Sequence, residues 1–160
     1  MNQRIIGSIL LTLFAMVAVL IDTESRATVS ALTARTTITD GPEVVEDSMH
    51  EFMEYVFQPT YKRLKVSMAE KPEAKAGWKA IKSDALILAE SCNLLFARTP
   101  EKDASDWNKY AVGSRVHGAA LYQAARKQDF DTATSSYKSM LESCNACHRQ
   151  FENGRHILSP

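Results

Sequence analysis

From Pro42 to Phe151 the apolar residues recur at spacings of three and four through four successive stretches, with only short breaks between them. A chain patterned in that way must bury four helical stripes, and it does so most directly by packing helices on one another. The first stretch opens at Pro42, suited to the first helical position, with Glu43 and Glu46 near the positive end of the helix dipole. Its apolar face reads Val45, Met49, Phe52, Met53, Val56, Thr60, Leu64 and Met68. Pro59 falls inside that face and is expected to kink the helix without ending it. The second stretch opens at Pro72-Glu73, carries Trp78, Ile81, Ala85, Leu88 or Ala89, Cys92 and Leu95, and stops near Arg98. The third, Ser105 to Lys127, sets Trp107, Tyr110, Ser114, His117, Leu121 and Ala124 on its seam. Asp129 caps the fourth after a very short turn, which makes the last two helices antiparallel neighbours. Its seam continues through Ala133, Tyr137, Met140 or Leu141, Cys144, Cys147 or His148, and Phe151, and Gly154 closes it at C′. The predicted fold is all-α: an antiparallel up-down four-helix bundle over residues 42–155, with 156–160 as a C-terminal tail.

The residues before Pro42 read differently. Arg4 precedes the apolar run Ile5 to Ile21, and polarity returns at Asp22. This is the layout of an export signal, here residues 1–27, with cleavage after Ala27 and a second site offered by Val29 and Ala31. The run is close to the shortest membrane span, so its retention as an anchor is the alternative. Either way the domain is expected to be periplasmic or otherwise exported, with a membrane tether only if residues 5–21 are kept. Residues 28–41, rich in threonine and without a helical period, read as a flexible leader. Lys plus Arg equals Asp plus Glu, 19 each, so charge points to neither nucleic acid nor an acidic membrane surface.

Near the end of the fourth stretch stands SCNACHRQF, residues 143 to 151. Positions i, i+3 and i+4 share one helix face, so Cys144, Cys147 and His148 can all address one object. C-x-x-C-H is the attachment motif of c-type haem: two thiols form thioethers with the vinyl groups, and the histidine binds iron. Export is consistent with this, because covalent haem attachment takes place outside the bacterial cytoplasm. Zinc would require a second ligand pair at matching spacing, and a thioredoxin-like motif a βαβ context; neither is present. Cys92 is left as a lone, buried thiol. The opposite iron position stays open to Met53, Met49, His50 or no protein ligand; Met53 leads. His117 reads as a core histidine within reach of a haem propionate, His156 as solvated, and Arg149 as a second propionate candidate.

The stretch QAARKQDFDTATSSYKSMLESCNACHRQF resembles the last helix-turn-helix of the cytochrome c′ family, the class II cytochromes c that include the cytochrome c-556 type. The similarity spans about residues 43 to 155 and is strongest in the final third. It implies one covalent haem c per chain on Cys144 and Cys147, with His148 as proximal iron ligand. It also implies a distal residue on the first helix, where counting back from the helix end favours Met53 over Met49. Members with methionine there carry electrons, whereas members with a bulky aliphatic or aromatic residue are five-coordinate and bind nitric oxide or carbon monoxide. Homodimers and redox partner proteins are further expectations from the family, and substrate chemistry is not among them. Two departures stand out: Glu152 replaces the usual basic residue four after the proximal histidine, and Met49 replaces a basic residue one turn before Met53. A carboxylate at position 152 is expected to lower the potential. The reading from another class is a haem-free helical interaction domain with a fortuitous motif.

Overall fold

The computed structural model describes residues 43–160, so the expected export signal 1–27, the leader 28–41 and Pro42 lie outside the described residues. The described chain is all-helical, with four helices and no strand among the described residues. Helix α1 joins three segments: α-helical Met49–Phe52, a π-helical turn Met53–Phe57, and α-helical Gln58–Met68. Helix α2 covers Lys75–Ser91 and runs into a 3-10 segment, Cys92–Arg98. Helices α3 and α4 cover Ala104–Lys127 and Phe130–Phe151. No helix of the described residues is long and apolar enough to cross a membrane.

Helix α1 starts later than its apolar pattern implies. Ser48, not Pro42, marks the entry: its hydroxyl accepts a hydrogen bond from the Glu51 amide at 3.2 Å, the arrangement of an N-cap. Residues 43–48 precede the helix, and Val45, expected on the buried face, is 99% exposed. Arg98 secures this entry, donating to the Glu46 carbonyl at 3.1 Å and lying 4.0 Å over the Phe52 ring. Helix α2 likewise begins at Lys75 rather than at Pro72-Glu73, with no side-chain cap. Asp129 does cap α4, its carboxylate accepting from the Thr132 amide at 3.1 Å, and the turn before it passes through left-handed Gln128. At the far end, Glu152 and Gly154 both donate to the His148 carbonyl at 3.0 Å as the chain reverses through Asn153 and Gly154, both at positive φ.

Each helix packs on the next in sequence, whereas α1 and α4 share no extended backbone contact. The core forms two clusters. One gathers Leu64, Trp78, Ile81, Leu88, Leu121, Tyr137 and Leu141; the other gathers Phe52, Cys92, Leu95, Trp107 and Ala111. The α2 seam is buried as expected from Trp78 to Leu95. On α3 the buried positions are Ala111 and Gly118 in place of Tyr110 and His117, which are only half-buried. A Cβ at Gly118 would lie 3.1 Å from the Ala89 Cβ and 3.3 Å from its Cα, so glycine lets α2 and α3 approach closely.

Candidate functional site

A cleft of about 210 Å³ opens between α1 and α4. One water needs only about 10–15 Å³ by a comparable measure, so the space far exceeds that of a single trapped solvent molecule. Its walls come from both core clusters, with Leu88, Leu95, Trp107 and Leu141 among the apolar lining. Cys144, Cys147 and His148 line it from α4, and Met49 and Met53 from α1. The fold thus brings the motif on the fourth helix and the methionines on the first, some ninety residues apart in sequence, to one space.

The α4 donors sit on a helix with a capped start and with His148 and Arg149 in its last turn, where the dipole favours positive charge. Burial pushes both motif thiols up: Cys144 rises against a Ser114 hydroxyl 3.5 Å away, and Cys147 reaches about 11, with Cys144 and Glu152 adding to the effect. Neither is paired in a disulfide, and burial favours the protonated thiol at neutral pH wherever the sulfur is unmodified. Burial lowers the His148 pKa, offset in part by a hydrogen bond between its Nδ1 and the His156 carbonyl at 2.9 Å. A carbonyl only accepts, so Nδ1 carries the hydrogen and the neutral ring keeps its lone pair on Nε2, the form a metal requires.

The α1 donors stand at a break in helical regularity. Pro59 has no N–H to give, and the ladder answers with a π turn that starts at Met53: the Gln58 amide donates to the Met53 carbonyl, five residues back. The Thr60 hydroxyl then donates to the Val56 carbonyl at 2.9 Å. The irregularity expected at Pro59 is thus taken up before the proline, beside the candidate ligand. His50 also lines the cleft, but its side chain is 72% exposed and lies 3.2 Å from the Glu54 carboxylate.

Glu54 and Glu152 line the cleft, and no Lys or Arg does so among the described residues. Arg149 is exposed and His117 half-buried on α3, and neither lines the cleft. His156 is exposed, as expected, but its backbone bonds His148. Sequence reasoning passed over Asn145, buried on α4 between the two cysteines and bonded to Leu158. Its one signal was a polar residue next to the seam.

Cys92 also lines the cleft, 2% exposed, its thiol pushed up to about 12 by burial first and Cys144 second, against the nearby Arg115. A buried, protonated thiol is a poor nucleophile. If both motif cysteines are occupied by thioethers, iodoacetamide at pH 8 should label no thiol in the native protein and one per chain after denaturation, read by intact mass. Three labels after denaturation would mean that Cys144 and Cys147 carry nothing.

No family model matches the chain, and no curated protein matches it.

Proposed function

We propose that the protein is an exported monohaem c-type cytochrome of the cytochrome c′ kind, its four helices arranged as an antiparallel up-down bundle, and that it carries electrons. The observation that carries this reading is that Cys144, Cys147, His148 and Met53 line one apolar cleft. When bound, haem c supplies an iron that cycles between two oxidation states. The chain does the rest. Cys144 and Cys147 offer protonated thiols for addition across two vinyl groups, each S–H becoming a C–S bond and a C–H bond. His148 offers Nε2, with Nδ1 held by a carbonyl. Met53 offers a thioether from the opposite helix, a ligand that raises the potential, while Glu54 and Glu152 at the cleft favour the more positive oxidised state and lower it. Apolar walls limit water and so the reorganisation that accompanies each electron.

The test is the visible spectrum of the protein, exported with haem-attachment machinery, reduced with dithionite, before and after carbon monoxide. Sharp, split low-spin bands indifferent to carbon monoxide support the electron carrier. A broad high-spin spectrum that shifts at once would replace it with a five-coordinate, gas-binding protein. A colourless product would leave a haem-free interaction domain.

A further inference from the structure

After α4 the chain does not trail into solvent. It turns at Asn153 and Gly154, passes through a left-handed His156, and returns to both helices that frame the cleft. On α4, Asn145 binds both backbone groups of Leu158: Nδ2 donates to its carbonyl at 2.9 Å, and Oδ1 accepts from its amide at 2.7 Å. On α1, the Tyr61 hydroxyl does the same for Ser159, donating to the carbonyl at 2.7 Å and accepting from the amide at 3.1 Å. Lys65 adds a bond to the Ser159 hydroxyl at 2.6 Å, and the Leu158 side chain packs on the core. Two side chains thus hold four backbone atoms of adjacent residues, and the segment spans two helices that share no extended backbone contact.

Two residues before the Asn145 clamp lies the carbonyl that meets His148 Nδ1. We infer that Asn145 is a positioning residue for the iron ligand: by clamping the returning chain it holds the His156 carbonyl on His148 and so fixes the ring's tautomer, orientation and donor strength. The inference rests on the haem reading above. The carbonyl keeps the hydrogen on Nδ1 and makes Nε2 a stronger donor. A stronger donor favours oxidised iron, so the strap lowers the potential. Asn145 suits the task because its amide presents a donor and an acceptor side by side, matching a backbone that offers the complementary pair. Being buried, it would leave unpaired polar groups if the strap let go.

The experiment measures the reduction potential of the full-length, haem-loaded wild type, Asn145→Ala, Tyr61→Phe and His156→Asn. Asn145→Ala is expected to raise the potential so that the oxidised-to-reduced ratio at fixed ambient potential falls about tenfold, about 59 mV for a one-electron couple. Tyr61→Phe is expected to move it the same way by less, and decides the matter if Asn145→Ala does not fold. His156→Asn keeps the carbonyl and tolerates the left-handed backbone, so it isolates the imidazole and its potential should shift much less than that of Asn145→Ala. A lower melting temperature with an unmoved potential in both clamp variants would overturn the inference, reducing Asn145 to a structural residue while the haem reading stands. A shift in His156→Asn alone would also overturn it, since the imidazole of His156 would then be the agent. A colourless wild type would remove the haem reading itself.

Discussion

In the haem-loaded protein proposed above, Met53→Leu is expected to give a high-spin spectrum where wild type gives a low-spin one, and to open the iron to carbon monoxide. Leucine matches methionine in bulk, and swaps of that kind cost less than about 1.5 kcal/mol, so the fold survives and only the thioether lone pair is removed. The potential should fall as well, because a methionine ligand raises it. Met49→Leu is the control. Met49 lines the same cleft one turn earlier, but Met53 opens the π turn, with its carbonyl tied to the Gln58 amide. Met49→Leu should therefore leave the spectrum low-spin. A reversed pair of results would hand the ligand role to Met49, and an unaltered spectrum in both would end the methionine assignment.

Replacing both motif cysteines, Cys144→Ala with Cys147→Ala, is expected to abolish covalent haem entirely, read as loss of haem staining on a denaturing gel. Each single variant should retain stain through the remaining thioether. The double variant must also tolerate an emptied cleft. At about 24 cal/mol per Å³ of cavity, the 210 Å³ of emptied space contributes about 5 kcal/mol, less where the cleft opens to water, and the lost contacts with the group add to it. Urea unfolding of the double variant beside wild type gives the sum. Persistent stain in the double variant would sink the attachment assignment.

The helices were legible because their apolar spacing is a local property. Trp78 to Leu95 and Ala133 to Leu141 are buried where periodicity put them. The start of α1 was not, because Pro42, Glu43 and Glu46 imitate a helix entry while the bond that makes one belongs to Ser48. On α3 about 100° of helix rotation separates Tyr110 and His117 from Ala111 and Gly118, and only the close approach of α2 resolves it. The motif on α4 was readable from five letters. The π turn was only half readable: Pro59 announces a missing donor but not the direction in which the ladder yields. The clamp at Asn145 was invisible, since it depends on a partner thirteen residues on, and Tyr61 on one ninety-eight away.

The division of the core into two clusters bears on what the chain is before any cofactor arrives. Leu64, Ile81 and Leu121 are fully buried and all belong to the cluster that includes neither methionine candidate, Cys147 nor His148. Most of that cluster can close as a cooperative unit on its own contacts, because of its buried members only Leu88, Met140 and Leu141 line the cleft. The other cluster has Met49, Met53, Cys147 and Phe151 along its edge and meets the cleft directly. Order is therefore graded along the molecule, from a closely packed half that anchors the chain to a half whose edge is given over to the cleft.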